Sequence, residues 1–568
     1  MHKLLLDSPG KELLLLGNEA IARGALEAGV AFATCYPGTP SSEIPEQFFN
    51  ISREKKELYF EYSTNEKVAL EVGAGAAVSG LRTMVTMKHV GLNVAADPLM
   101  TLAYEGVKGG MVIVTADDPS LFSSQNEQDN RYYARLSALP MLEPTNTQEM
   151  KDMTVAAFDL SEALQLPILL RTTTRLNHIR GSVKLGELTP TKLKAVFEKN
   201  PFHWVAVPAV ARKLHKELLD KFDRAFAKSE RSPYNEIQGG GKWGIVANGV
   251  SVNYVRDALS DLNIADKVSL LKLGFSWPLP KNLCAKFLSQ VEKVLVVEEL
   301  EPVMENDLKA IAQENGLMLP IKGKDVGQLS RLFEYDPRLV REAIAEFFQV
   351  DYKGAATVDM SDLPELPGRP PNLCAGCPHR ATDYAVKQVY GTDTIHPSDI
   401  GCYTLGLLPP ISMADFLICM GSSVSSSCGF AQATDQKVVS FIGDSTFFHS
   451  GITGLINAVH NNHKFTLVIL DNGTTAMTGH QPHPGVDTEP LGVERTRVSI
   501  EGVVRGCGVE DVHVVQPFKV KKTMDAVRAA MEYDGLSVII SHRQCNEYLK
   551  RQKRQERKER QKGSSASP

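Results

Sequence analysis

Nowhere do the 568 residues contain the roughly 18 uninterrupted apolar residues that a membrane-crossing helix requires. The N-terminal leucines, Leu4 to Leu6 and Leu13 to Leu16, are separated by the polar run Asp7 to Glu12, so they do not form a secretory hydrophobic region. A cytoplasmic protein with no membrane association is expected. Strong charge of one sign is also missing: the net charge is −5. Residues 550–562 alone hold eight Lys or Arg against two Glu, leaving about −11 for the remainder. That tail reads as a solvated, frayed helix, with contact to nucleic acid or an acidic partner as the alternative. Nine cysteines in a chain of this length do not make a disulfide framework. No short-period repeat is present. What remains is an ordinary globular composition, 43% hydrophobic and 23% charged, in a chain too long for one core.

Strand-like and helix-like segments alternate through a first block, residues 1–195. Leu13 to Leu16 precedes a helical Gly17 to Glu27, and Ala31 to Thr34 precedes the turn Tyr36-Pro-Gly-Thr-Pro40. Met111 to Thr115 and Leu166 to Leu170 read as buried strands. The pattern predicts a doubly wound α/β unit. A connector, 196–240, holds a Lys-rich helix and a Gly-rich loop at Gln238 to Gly241. A second α/β block, 241–355, is bounded by strands at Ile245 to Ala247 and Val294 to Val297. A Pro-rich linker, 356–371, leads to a third block, 372–548, and the basic tail, 549–568. The first and third blocks are of similar size, which suits a cofactor held between two related domains.

The third block carries the most informative pattern. Val438 to Ile442 reads as a buried parallel strand delivering Asp444 to a sheet edge. A helical segment from Phe447 to His460 leads to a second strand, Phe465 to Leu470, which delivers Asp471 and Asn472. Parallel strands joined by a crossover helix place their carboxyl ends side by side, where open α/β sheets bind ligands. The carboxylate of Asp444, the amide oxygen of Asn472 and the carbonyl of Thr474 can then share a magnesium ion that also takes phosphate oxygens. The alternative is a plain βαβ unit with an acidic residue at a strand end. Cys374 and Cys377, Cys402 and Cys545 have spacing that admits zinc or an iron–sulfur centre, or simple burial of Cys402 and Cys545. Cys35, Cys284, Cys419, Cys428 and Cys507 are expected to pack.

Gly443-Asp444-Ser445 with Asp471-Asn472 resembles the fingerprint of thiamine diphosphate enzymes, departing from it at Ser445 and at Asp471. With Tyr36 to Ser42, Met87 to Pro98, Ser123 to Asp129, Cys374 to Arg380 and Gly443 to Ser450, the sequence resembles the 2-oxoacid:ferredoxin oxidoreductases, most closely the large subunits of the indolepyruvate branch. The resemblance implies a multi-domain α/β fold of parallel sheets flanked by helices. Its pyrimidine-binding domain would be 1–195, its transketolase C-terminal-like domain 241–355 and its diphosphate-binding domain 372–548. It implies thiamine diphosphate, Mg2+ and one 4Fe-4S cluster held by Cys374, Cys377, Cys402 and Cys545. Glu66 takes the place of the glutamate that bonds the aminopyrimidine, with Glu71 as rival, and Thr39 and His89 take substrate-contacting places, His89 with Lys88 supplying charge. Gly443, Ser445, Asn472 and Thr474 join Asp444 around the diphosphate. The implied reaction is oxidative decarboxylation of aryl 2-oxoacids with coenzyme A, in company with a small beta subunit and an electron acceptor such as ferredoxin. The family's C-terminal ferredoxin-like domain is not matched after Cys545, so electrons are expected to pass directly to a partner or to a different acceptor. Non-oxidative decarboxylation or carboligation is the alternative chemistry, and a non-catalytic scaffold a third.

Overall fold

The computed structural model describes residues 2–191, 194–324, 326–327, 329–352, 354, 364, 367–486 and 495–564, with backbone alone at 555–556 and 558–564. The chain divides into two compact units, residues 1–359 and 360–568. Much of the Pro-rich linker (356–363, 365 and 366) and the last four residues of the basic tail lie outside the described residues.

The first unit is built on two largely parallel sheets. The larger runs in the order Phe275–Trp277, Met141–Leu142, Ile168–Thr173, Met111–Asp117, Thr83–Lys88, Phe32–Cys35, Tyr59–Tyr62. Only the first of these pairs antiparallel. Its three central strands, Ile168–Thr173, Met111–Asp117 and Thr83–Lys88, are buried at every residue, as expected for parallel strands covered on both faces. The strand order reverses between Phe32–Cys35 and Thr83–Lys88. The turn beginning at Tyr36 and the segment beginning at His89 therefore flank a topological switch point, the usual place for a ligand crevice.

The second sheet of this unit has the order Ile321–Lys322, Lys293–Val297, Trp243–Ala247, Val268–Leu273, Asn235–Gly239. Gln238 and Gly239, expected in a loop, end its antiparallel edge strand. Gly241 is required there, because a Cβ would stand 1.8 Å from the Lys267 carbonyl carbon. The leucine run Glu12–Leu16 is a strand but joins neither large sheet. It pairs antiparallel with Arg180–Lys184 in a surface ribbon that leaves Leu14 65% exposed.

A buried ionic knot ties the segment Ser123 to Asp129 to the second sheet. Arg131 donates to Asp129 Oδ2, to Glu298 Oε2 and to the carbonyls of Glu299 and Glu301, and all three charged side chains are buried. Arg131→Met is expected to cost about 3–5 kcal/mol, because it removes the guanidinium from buried Glu298 and leaves buried Asp129 with Arg171, 3.6 Å away, as its remaining cation among the described residues. Chemical denaturation of the variant checks this, and a change below 1 kcal/mol would show that the knot is dispensable.

The second unit has one four-stranded, wholly parallel sheet in the order Val439–Gly443, Thr466–Asp471, Ser537–His542, Asp511–Val515. Its crossover from the first strand starts as helix at Asp444–Thr446, widens into a π turn at Phe447–Gly451 and continues as helix at Ile452–His460. Such π turns gather at functional sites. Gly451 and Gly454 are packing glycines, with Cβ positions 2.7 Å from Ile442 Cδ1 and 2.9 Å from Ser425 Oγ.

Candidate active site

In the second unit, Gly443 and Leu470 stand opposite each other in parallel register, so Asp444 and Asp471–Asn472 leave the sheet together. Asp444 is 2% exposed, and its two oxygens are unequally used. Oδ2 accepts from Asn472 N (3.0 Å), Gly473 N (2.7 Å) and His483 Nε2 (3.0 Å). Oδ1 accepts, among the described residues, from Ser445 N alone at 2.8 Å. Burial would raise this carboxyl, but the adjoining His483 and the donated amides outweigh it and hold the group below the usual carboxylate range. The His483 tautomer is set from its other side: Gly485 N donates to Nδ1 at 3.1 Å, so Nε2 carries the proton given to Asp444.

Asn472 is oriented just as firmly. Its Oδ1 accepts from Thr474 N (3.1 Å), and its Nδ2 donates to His379 Nε2 (3.3 Å). Burial pushes the His379 pKa down to about 4, so that nitrogen keeps its lone pair near neutrality. Thr475 Oγ1 donates to Ser445 Oγ at 2.9 Å, and Thr475 N to the Gln481 carbonyl at 2.9 Å, closing the loop that follows Thr474, whose Oγ1 donates to the same carbonyl at 3.4 Å. Among the described residues no three His, Cys, Asp or Glu side chains gather to chelate an ion. The magnesium reading needs fewer: Asp444 Oδ1 and Asn472 Oδ1 each retain lone pairs, which fits a hard cation completed by phosphate oxygens. Packing requires glycine at Gly443, since a Cβ there would stand 2.7 Å from the Tyr403 ring. His379 and His483 carried no role in the sequence; the only available signal was that both sit beside turn residues, in Cys377-Pro-His379 and His483-Pro-Gly485.

The four cysteines named from the sequence belong to one neighbourhood. Cys377 N donates to the Cys374 carbonyl at 3.1 Å, and Cys377 is the N-cap residue of the helix Pro378–Tyr390 without a side-chain capping hydrogen bond, although the nearby His379 and Arg380 amides act to lower its thiol. Burial still pushes the Cys377 thiol up to about 12, with Cys402 and Cys545 adding to the rise. Cys402 is pushed up to about 11 by burial and then by Cys545 and Cys374. Cys545 N donates to the Asn472 carbonyl at 3.0 Å, linking this cysteine to the Asp444 loop. These thiols lie within electrostatic reach of one another, but among the described residues no three of them gather as metal ligands, and burial favours the protonated form of Cys377 and Cys402. Of the five cysteines expected to pack, Cys419 does not: it is exposed in the turn before the helix Ser422–Ala433.

In the first unit, Glu66 opens the helix Glu66–Val78, with Asn65 as cap, and is 4% exposed. Gly91 lies under it, where a Cβ would stand 2.7 Å from Glu66 Cγ. Glu71 is exposed and paired with Lys67, so the two glutamates differ sharply. Thr39 and Lys88 meet at the switch point. The Lys88 stem runs over Gly38, its Nζ donates to the Ser123 carbonyl (2.9 Å), and Ser123 Oγ donates to the Thr39 carbonyl (3.2 Å). Burial pushes the Lys88 pKa down to about 8 against the opposing pull of Asp118 and Glu66. His89 is fully buried, with Nε2 on the Asn126 carbonyl at 3.1 Å, and burial followed by Lys88 pushes its pKa down to about 4. A neutral, buried ring supplies no charge, so the cation at this place is Lys88.

Three family models match successive parts of the chain. Residues 23–216 match the pyruvate flavodoxin/ferredoxin oxidoreductase thiamine diphosphate-binding family, 234–314 the indolepyruvate ferredoxin oxidoreductase middle domain, and 399–541 the C-terminal TPP-binding domain of thiamine pyrophosphate enzymes. Among curated relatives, indolepyruvate oxidoreductase subunit IorA of Methanothermobacter thermautotrophicus is 50% identical over 94% of this chain and 87% of its own length. The subunits of the same name from Archaeoglobus fulgidus and Thermococcus kodakarensis are 46% and 44% identical, over 96% of this chain and 88% and 87% of their own lengths. With half of all residues shared along nearly the whole chain, it belongs to the indolepyruvate oxidoreductase subunit IorA family and is an enzyme of the thiamine diphosphate-dependent 2-oxoacid oxidoreductase type.

Proposed function

We propose that this chain catalyses the oxidative decarboxylation of an aryl 2-oxoacid, of the indolepyruvate or phenylpyruvate type, with coenzyme A to arylacetyl-CoA and CO2. The two electrons released go to an external acceptor such as a ferredoxin. The observation that supports this reading is the backbone bond from Cys545 to Asn472, next to the Asp444 and Asn472 cradle, which brings a cysteine beside a candidate diphosphate site. Bound thiamine diphosphate supplies a nucleophilic carbon and an electron sink. Asp444 Oδ1, Asn472 Oδ1 and the Thr474 carbonyl would hold Mg2+, with Gly443 and Ser445 along the diphosphate. Glu66 would bond the aminopyrimidine and favour its imino form. Cys374, Cys377, Cys402 and Cys545 would hold one 4Fe-4S cluster. Thr39 and Lys88 would receive the substrate carboxylate, and His89, neutral and bonded to Asn126, would position the loop that carries Ser123.

The relatives are named as subunits, which supports a second, smaller beta subunit as partner. A reducing cytoplasm accords with nine free cysteines, and no helix among the described residues is long and apolar enough to cross a membrane.

The test is anaerobic metal and sulfide analysis, followed by turnover of an arylpyruvate with coenzyme A and a redox dye. About four irons per chain and acyl-CoA formation are expected. Zinc, or aldehyde and acyloin products without iron, would overturn the oxidative assignment in favour of non-oxidative thiamine chemistry.

Lys88 gives this reading a pH signature. Its charged form is lost as pH rises through about 8, so kcat/KM for the 2-oxoacid is expected to fall above that pH, whereas Lys88→Met should lack this limb and have a high KM throughout. An unchanged alkaline limb in Lys88→Met would remove Lys88 from the carboxylate site.

A further inference from the structure

We propose that the exposed basic face of the C-terminal helix, formed by Lys550, Lys553, Arg554 and Arg557, is the docking surface for a small acidic one-electron carrier protein. The inference rests on the reading above, in which the neighbouring cysteines hold a redox centre. The helix, Asn546–Ser564, begins one residue after Cys545. Its root is fastened at two places. Asn546 Nδ2 donates to the carbonyl of Gly376, which lies between Cys374 and Cys377. Tyr548, 8% exposed, stacks on His480 with ring centroids 5.4 Å apart, and Arg551 Nη1 donates to the Gly479 carbonyl at 2.9 Å.

These contacts fix which side of the helix turns inward. Lys550, Lys553, Arg554 and Arg557 follow the spacing i, i+3, i+4, i+7, which puts them on one face, and all four are exposed. The acidic neighbour on the first turn is Glu547, 2.6 Å from Lys550. Outside residues 550–562 the chain carries about −11, so an acidic protein is repelled elsewhere and drawn to this stripe, which gives docking an orientation. A nucleic acid would meet the same field, but nothing about it requires the stripe to be rooted on both cysteine segments. An acidic electron carrier does, because transfer demands that it dock beside the donor. For each turnover the balance is 2-oxoacid anion plus coenzyme A thiol plus two oxidised carriers giving acyl-CoA, CO2, two carriers each reduced by one electron, and one proton.

The test uses the complete protein with its partner subunit and a purified acidic ferredoxin immobilised on a biosensor. Replacing the four residues together (Lys550→Glu, Lys553→Glu, Arg554→Glu, Arg557→Glu) is expected to weaken ferredoxin binding at low salt by roughly tenfold or more and to flatten its salt dependence. Reduction of a small neutral dye should proceed at the wild-type rate, because none of the four belongs to the catalytic groups. A quadruple Gln variant should fall between the two, and circular dichroism confirms that the helix persists. Unchanged ferredoxin binding in the Glu variant overturns the proposal, as does a wild-type protein that ignores ferredoxin but binds single-stranded RNA through these residues. If the wild type fails to reduce the dye with any arylpyruvate, the oxidative reading falls, while the binding measurement still decides the docking surface.

Discussion

Asp444→Asn is expected to weaken binding of Mg2+ with thiamine diphosphate at least a hundredfold and to lower turnover at least a thousandfold. The reason lies in the unequal use of its two oxygens. Three donors, Asn472 N, Gly473 N and His483 Nε2–H, converge on Oδ2. The amide oxygen of an asparagine must face those donors, since its NH2 there would place donor against donor. The NH2 is then forced into the place of Oδ1, toward Ser445 N and the cation, where a magnesium ion finds no lone pair. Shape and volume are nearly conserved, so the fold should survive. Isothermal titration calorimetry with magnesium and thiamine diphosphate reads binding apart from activity. Wild-type affinity in Asp444→Asn would refute Asp444 as the metal-bearing carboxylate.

Glu66→Gln should lower kcat by about 10²–10⁴-fold, the usual contribution of a positioned proton-transfer group, with a much smaller loss of cofactor affinity. Glu66 is buried at the start of its helix and lies over Gly91, where no other side chain leaves room for it. Glutamine keeps that packing but cannot share a proton with the aminopyrimidine. Glu71→Gln is the control: its carboxylate is exposed and paired with Lys67, and kcat should not change. A Glu66→Gln enzyme within fivefold of wild type would remove Glu66 from the chemistry, and a large loss in Glu71→Gln would transfer the role.

The distinction between Glu66 and Glu71 marks where the sequence stops being sufficient. Both stand in one helical segment, and spacing shows only that they face different ways. Which one faces the interior depends on Gly91, contributed by a segment some 25 residues later. The same holds for His89 and Lys88. Adjacent in sequence, they read together as a source of charge, yet the fold buries the imidazole against Asn126 and leaves Lys88 to reach Ser123 beside the Thr39 turn. Burial lowers both groups, and the imidazole, starting from the lower value, is the one left neutral while Lys88 still holds its charge; that burial comes from long-range packing, which leaves no trace in local spacing. Asn472 was legible as a strand-end residue beside Asp444, but the contacts that orient its amide, His379 and the Thr474 amide, were not.

The meeting of Asp444 with Asn472 could be read from sequence alone, because two short apolar strands joined by a helical crossover have one sterically favoured arrangement, parallel and with carboxyl ends adjacent. The leucine strand Glu12–Leu16 was legible as a strand but not as a surface ribbon, since its partner Arg180–Lys184 lies far along the chain. Local periodicity and covalent connectivity thus determined the α/β class and the residue types of the cradle. Only the tertiary structure decided which oxygen of Asp444 is open, which imidazoles are neutral and which glutamate is buried, because those depend on desolvation and hydrogen bonds from segments that folding alone brings together.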